Sequence, residues 1–245
     1  MFRREKSLVL TDLPDKIRQV NTCEITNRKE YMDAERDLIQ YLQMYKDADD
    51  EKIERAMRGE VMVRINILRQ VSGRGKIRDA AEFVKDFREN GQKIILFCSL
   101  HDVVDELKRY FPTAVSVTGR DSQDEKQHAV DRFQNDPKVD VIICSIKAAG
   151  VGLTLTASSN VAFIEFPWTY ADCCQCEDRA HRIGQKNSVT CYYFLGRKTI
   201  DEKVYKIIQA KKNIANAVTG STEEIEENIV DMVARIFDTD YEEED

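Results

Sequence analysis

From Lys93 onward, short apolar runs alternate with longer stretches of helical periodicity, and this alternation constrains the fold more than any other feature of the chain. The runs Ile94 to Cys98, Ala114 to Val117, Val139 to Cys144, Val161 to Phe166 and Val189 to Leu195 predict strands, and their continuous apolarity marks them as buried on both faces. Between and after them the spacing predicts helices over 102–110, 123–135, 172–182 and 200–212. Ser122-x-x-Glu125 and Thr199-x-x-Glu202 read as capping boxes. Buried strands alternating with helices predict an α/β fold with a parallel sheet and right-handed crossovers. In such a sheet, ligands collect at the carboxyl ends of the strands. That puts Ser99-Leu100, Thr118-Gly119-Arg120, residues 145–153 and residues 166–171 on the working edge.

The preceding part of the chain has a different period. Apolar residues fall at 31, 34, 38, 42 and 45, and again at 53, 57, 61, 65 and 68, the three-to-four spacing of amphipathic helices. Pro14 and the polar run 46–51 interrupt the pattern, and Ser72-Gly73-Arg74-Gly75 ends it with glycines suited to a helix terminus or hinge.

The formal charge of −7 says little about partners, because Thr222 to Asp245 holds eleven acidic residues against one basic residue, Arg235. The body before that segment is mildly basic, so acidity of the whole chain does not exclude a nucleic-acid partner. The segment itself reads as a solvated, partly helical end; an autoinhibitory DNA mimic is the competing reading. Seven cysteines, an odd number, several of them inside apolar runs, predict reduced thiols and an intracellular, reducing compartment. Cys173 and Cys176 have a zinc-like spacing, with His181 nearby, but only the single Cys191 follows them, so no metal site is expected. No apolar run approaches the ~18 residues of a membrane span, and Ser7 to Leu10 is too short for a signal peptide.

The most specific stretch is Gln175-Cys176-Glu177-Asp178-Arg179-Ala180-His181-Arg182-Ile183-Gly184-Gln185. On the predicted helix, Arg179 and Arg182 share a face, where two planar charged forks suit the oxygens of a phosphoryl group. The competing reading pairs them with Glu177 and Asp178 on a solvated face. Upstream, the small-residue loop from Ser145 to Ala157 follows a strand, the setting in which backbone N–H groups reach a phosphate while Ser145 and Lys147 add a hydroxyl and a charge. Neither a nucleotide-cradling loop nor a metal-binding acidic box accompanies these residues. Gly73-Arg74-Gly75-Lys76 is not a Walker A loop, since Gln70 stands where Gly is required and Ile77 where Ser or Thr is required. Asp105-Glu106, Asp124-Glu125 and Asp201-Glu202 sit in or at the starts of predicted helices rather than at a strand end.

Taken in order, Lys93 to Ser99, Val117 to Arg120, Ser145 to Ala157, Phe163 to Trp168 and the arginine string resemble the second RecA-like domain of the Swi/Snf-type ATPases of helicase superfamily two. Trp168 with Ala148-Ala149 resembles the HepA-related, annealing-helicase branch. Cys176, Thr169-Tyr170 and Thr154 depart from the family pattern without removing a charged phosphate ligand. The resemblance implies four parts: a linker over 1–27, a helical protrusion over 28–75, a RecA-like domain over 76–212 and an acidic, partly helical tail over 213–245.

The resemblance further implies that ATP and Mg2+ are held mainly by a first RecA-like domain absent from this chain, which alone would not turn over ATP. Arg182 and Arg179 would be catalytic, and Gln185, Gly150, Gly152 and Thr154 would line the nucleotide. Ser99, Thr118, Gly119, Arg120, Ser145, Lys147 and Trp168 would meet the backbone of double-stranded DNA, with no membrane partner. From the residues alone, Trp168 reads as a core or interdomain aromatic, His101 and His128 as helix-surface residues, and His181 as a packing or hydrogen-bonding member of its helix. Two other functions stay open: a non-catalytic DNA- or partner-binding module, and a strand-separating superfamily-two subunit.

Overall fold

The computed structural model describes residues 13–46, 51–149, 152–210, 229–235 and 237. They form two compact units, one of Met1–Cys23 with Lys76–Leu195, the other of Glu24–Gly75 with Gly196–Asp245.

The first unit is a RecA-like layer of parallel strands flanked by helices. Its strands are β1 (Lys16–Cys23), β2 (Ile94–Cys98), β3 (Val115–Val117), β4 (Val141–Ser145), β5 (Asn160–Phe163) and β6 (Val189–Gly196), in the sheet order β1-β6-β5-β2-β4-β3. Parallel pairing sets Ile94 opposite Val141 and Cys98 opposite Ser145, Phe97 opposite Phe163, and Val117 opposite Cys144, which aligns the carboxyl ends of β2, β3, β4 and β5. Every residue of β2 and β4 is buried, as expected of a sheet covered on both faces. Ile94, Leu96 and Cys98 join Val141, Ile143, Ala162 and Phe194 on one face. That face packs against Ala80, Ala81 and Val84 of α3 (Ile77–Glu89) and Val103, Val104 and Leu107 of α4 (His101–Tyr110). On the other face the Phe97, Phe163 and Tyr193 rings stack in sequence, with centroids 5.2 and 4.6 Å apart.

Helix α5 (Gln123–Asn135) starts at a complete capping box. The Ser122 hydroxyl accepts from the Glu125 N–H and the Glu125 carboxylate accepts from the Ser122 N–H. Helix α6 is short (Ile146–Ala149), and α7 (Tyr170–Glu177) is capped by the Thr169 hydroxyl, which accepts from the Asp172 N–H.

Helices α1 (Arg28–Lys46) and α2 (Glu51–Gly75) belong to the second unit. They bury Tyr31, Leu38, Leu42 and Tyr45 against Val61, Ile65, Leu68 and Val71, the stripes anticipated from the spacing, whereas Ile53 is exposed. Helix α8 (Ile200–Ala210) adds Ile200, Val204 and Ile208 to this core, and the Tyr31 hydroxyl accepts from the Ile200 N–H at 2.7 Å.

Several expectations change here. Residues 16–23, read as linker, form an edge strand, because the apolar residues Ile17 and Val20 alternate too irregularly with Lys16, Arg18 and Gln19 to betray it. The reciprocal box at Thr199 does not form. The Thr199 hydroxyl donates to the Gly196 carbonyl and accepts from the Asp201 N–H, while Glu202 takes the Lys198 N–H. The acidic end is not wholly solvated: Ile229, Val230, Val233, Ala234 and Phe237 are buried, and the Tyr45 hydroxyl lies 3.2 Å from Asp231. Gly75 serves close approach, since a Cβ there would come within 2.2 Å of Asn27 Oδ1 and 2.7 Å of Ile25 Cβ.

Candidate functional site

Helix α7 ends at Glu177, five residues short of the expected Arg182. After it, the Arg179 and Ala180 N–H groups bond back to Cys176 and Glu177 over three residues, and the Arg182 N–H bonds to Ala180, so the backbone tightens out of α-geometry. Gly184, at φ +99°, then closes a turn that few side-chain-bearing residues tolerate. Arg179 and Arg182 therefore meet on a turn rather than on one helix face.

The turn is held by its neighbours. Arg182 Nη1 donates to the Gly152 and Leu153 carbonyls, both at 3.1 Å, and to Thr154 Oγ1 at 3.2 Å, while the Leu155 N–H donates to the Arg179 carbonyl at 2.8 Å. Gln185 is buried with both ends of its amide engaged. Nε2 donates to Ser158 O at 2.9 Å, with longer contacts to Thr156 and Ala180, and Oε1 accepts from the Lys186 and Asn187 N–H groups. Arg179 Nε donates to the Gln175 carbonyl. Among the described residues neither arginine has an ion pair with a carboxylate, and Nε and Nη2 of Arg182 have no acceptor. Burial first, and the neighbouring Arg182 charge second, pull the Arg179 pKa below its ordinary value. Two guanidiniums on one short turn, offset only in part by the Asp178 charge on Arg179, make a positive surface chemically suited to an anion.

Glu177, one of the two partners that the competing reading gives these arginines, is fully buried and taken by other cations. Arg18 Nε and Nη2 reach its two oxygens at 2.6 Å each, Lys16 Nζ lies at 2.8 Å, and the Tyr193 hydroxyl donates at 2.8 Å. His181 Nε2 lies 2.7 Å from the Pro14 carbonyl, the hydrogen-bonding role anticipated for it, although it sits beyond the end of the helix.

A second group occupies the carboxyl edge of the sheet, where the register brings the loops bearing Ser99, Thr118 and Ser145 to one side. Ser99, Gly119, Arg120 and Lys147 are exposed there, Trp168 is half-buried, and Thr118 and Ser145 are buried. Two carboxylates that sequence reasoning passed over organise this edge. Glu165 accepts the Ser99 and Leu100 N–H groups at 2.9 and 3.0 Å. Asp121 accepts the Thr118 N–H at 2.6 Å and its hydroxyl at 2.9 Å. Arg120 pairs with Asp105 across an exposed 3.0 Å contact, and Ser145 Oγ accepts the Ala148 N–H. The signal for Glu165 was present in the sequence as a lone charge within Ile164-Glu165-Phe166.

The expected single working edge is thus divided. The chain leaving β4 carries Ser145 and Lys147 at the carboxyl edge, then Gly152 to Thr156 beside the arginine turn, ahead of β5, and Ser158 Oγ donates to the Lys93 carbonyl just before β2. Gly150 lies outside the described residues.

Residues 75–184 match the family described as helicase conserved C-terminal domain. The Caenorhabditis elegans homolog of SWI/SNF-related matrix-associated actin-dependent regulator of chromatin subfamily A-like protein 1 is 32% identical over 234 residues, 91% of this chain and 32% of that protein. The human DNA annealing helicase and endonuclease ZRANB3 is 32% identical over 235 residues, 91% of this chain and 20% of that protein. The Sulfolobus solfataricus SWI2/SNF2 ATPase core in complex with dsDNA superposes with a TM-score of 0.69 at 22% identity, over 92% of this chain and 51% of that one. The chain belongs to the Swi/Snf group of helicase superfamily two. It corresponds to the C-terminal RecA-like lobe and spans about a third or less of the length of these curated relatives.

The cysteines of the Swi/Snf lobe are all unpaired, and burial pushes the Cys144 and Cys173 thiols up to about 12. No group of three or more His, Cys, Asp or Glu side chains suited to a metal ion occurs among the described residues. Nor is any described helix long and apolar enough to cross a membrane.

Proposed function

We propose that the chain is the C-terminal motor lobe of an ATP-driven double-stranded DNA translocase of the annealing-helicase branch, lending an arginine pair and DNA backbone contacts to a first RecA-like domain that holds the nucleotide. The observation that carries this reading is the arginine turn: two adjacent guanidiniums without a carboxylate partner among the described residues, next to a Glu177 already neutralised by Lys16 and Arg18. A solvated ion-pair role for Arg179 and Arg182 would leave that arrangement unexplained.

In this reading Arg182 uses Nη1 to brace itself on residues 152–154 and offers Nε and Nη2 to the oxygens of the γ-phosphoryl group, where charge builds up during transfer. Arg179 adds a second positive charge. Thr154 and the backbone at Gly150 and Gly152 border the nucleotide, while Gln185 acts on it through the segment it fastens. Mg2+, which would neutralise phosphate charge, is assigned with the phosphate-cradling loop to the first RecA-like domain, since Gln70 and Ile77 break the Walker A pattern and the Asp-Glu pairs lie in or at the starts of helices. Ser99, Thr118, Gly119, Arg120, Ser145 and Lys147 contact DNA phosphates, with Trp168 beside them, so binding is sequence-independent and weakens steeply with salt.

The test is ATP turnover by the chain combined with a first RecA-like domain and duplex DNA. The chain alone is expected to be inactive. In the combined system Arg182→Ala is expected to lower turnover by roughly 10³- to 10⁵-fold while DNA binding persists. Unchanged turnover in Arg182→Ala would refute the arginine assignment, and DNA binding without any effect of ATP would favour a non-catalytic module.

A further inference from the structure

We propose that Glu177 is the positioning residue of the arginine turn: together with Lys16 and Arg18 it fixes the start of residues 178–182 to strand β1. This rests on the reading of Arg182 given above. The four donor contacts, at 2.6, 2.6, 2.8 and 2.8 Å, satisfy both carboxylate oxygens of a side chain with no exposed surface. Glu177 therefore cannot itself reach a phosphate, and whatever it does for chemistry it does through its neighbours. Those neighbours point one way. Glu177 is the last residue of α7, and its own carbonyl accepts the Ala180 and His181 N–H groups that shape the turn.

β1 and the residues just before it make three further contacts with the turn and with the helix ahead of it. Lys16 Nζ reaches Asp178 at 3.4 Å, the Pro14 carbonyl reaches His181, and Arg18 Nη2 lies 3.5 Å from Cys174 Sγ on the preceding helix. The Arg18 guanidinium also lies over the Tyr170 ring, 5.1 Å from its centroid. Residues 178–182 are thus clamped between β1 on one side and residues 152–158 on the other. A bidentate guanidinium–carboxylate pair specifies orientation as well as distance, and an arginine acting on a phosphoryl group needs both.

Burial alone would push the Glu177 carboxyl up, but the Arg18 hydrogen bond and the Lys16 and Arg18 charges hold it below the ordinary value; Lys16 and Arg18 are correspondingly raised despite their own burial. The cluster is therefore ionised throughout the neutral range.

The experiment compares Glu177→Gln and Arg18→Met with wild type by amide hydrogen exchange on the 245-residue chain, then by turnover with a first RecA-like domain and duplex DNA. Exchange at 178–182 is expected to rise roughly tenfold or more, while β2 and β4 stay within about twofold. Turnover at saturating ATP should fall roughly 10- to 100-fold with the KM for ATP and the DNA affinity nearly unchanged. Unchanged exchange in the turn, or a parallel rise in β2 and β4, would overturn the proposal, the latter by reducing Glu177 to a packing role. If Glu177→Gln does not yield folded protein, Arg18→Met carries both measurements, because Lys16 still neutralises the carboxylate and the Tyr193 hydroxyl still donates to it. An inactive Arg182→Ala beside a fully active Glu177→Gln would refute positioning alone. An active Arg182→Ala would refute the catalytic reading and leave the exchange result standing by itself.

Discussion

Replacing Gln185 with alanine separates two roles for this residue, contact with nucleotide and fastening of the turn. The side chain makes three well-placed bonds, Nε2 to Ser158 O at 2.9 Å and Oε1 from the N–H groups of Lys186 and Asn187 at 2.9 and 3.1 Å. At about 1 kcal/mol net for each neutral hydrogen bond, their loss costs about 3 kcal/mol. Lys186 and Asn187 are exposed, so water can take over their donors, whereas Ser158 is buried and its carbonyl is left unsatisfied. Together these put the destabilisation at about 2–4 kcal/mol, equivalent to a melting temperature lower by roughly 5–15 °C for a chain of this size. Urea unfolding measures the free energy, and hydrogen exchange at residues 155–158 and 179–187 locates it. A change within about 0.5 kcal/mol of wild type with local protection intact would refute the fastening argument. A raised KM for ATP at unchanged stability would return Gln185 to the nucleotide.

Three further outcomes are expected. Asp121→Asn removes a negative charge from the Thr118 N–H and hydroxyl, and at roughly 1 kcal/mol for a unit charge near a phosphate it should tighten duplex DNA binding about fivefold at low salt, read by fluorescence anisotropy. Gly75→Ala should destabilise the chain by about 1–3 kcal/mol in thermal unfolding, because its Cβ would collide with Asn27 and Ile25 rather than face solvent. The depressed carboxyl of Glu177 contributes stability that is complete above its ordinary unfolded value of about 4.3 and is lost as pH falls through the folded value, so wild type should lose stability in acid below about pH 4 more steeply than Glu177→Gln. Equal acid sensitivity in the two proteins would refute that assignment.

The parallel sheet and the string that builds the arginine turn were legible in the sequence because both rest on local patterns: continuous apolar runs for β2 and β4, and a dense charged string for residues 175–185. The geometry of that string was not. Cys173, Cys176 and Ala180 keep helical spacing past the true helix end, since Cys176 and Ala180 are both buried although Ala180 belongs to the turn. Burial periodicity cannot distinguish an α-helix from the tighter three-residue bonding that follows it. The β1 strand escaped notice for a related reason. Its pattern mixes exposed Ile17 and Val20 with Lys16 and Arg18, whose charges are half-buried only because Glu177, some 160 residues later, neutralises them. The same holds for Glu165 and Asp121, whose roles depend on backbone N–H groups brought to them by the sheet edge or the turn.

The two candidate sites differ in how their charge is balanced, and this bears on how they respond to ligand. At the carboxyl edge the backbone donors of Ser99, Leu100 and Thr118 already have carboxylate acceptors, so a phosphate arriving there competes with Glu165 or Asp121 for those donors. The net gain from such an exchange is small, which suits contacts that must be made and released repeatedly. At the arginine turn neither Arg179 nor Arg182 forms an ion pair with a carboxylate among the described residues, and the Arg182 charge acts against that of Arg179 while Asp178 offsets it in part. In the proposed reading an anion there offsets the Arg182 charge on Arg179 as well as adding attraction. Both sites are joined by the chain that leaves β4 through Ser145 and Lys147 and returns to β5 after Arg182 has bonded to Gly152, Leu153 and Thr154. In the proposed reading, a phosphoryl group drawn to Arg182 acts on the same residues, 152–154, that its Nη1 already holds, so nucleotide and that segment are felt by one side chain.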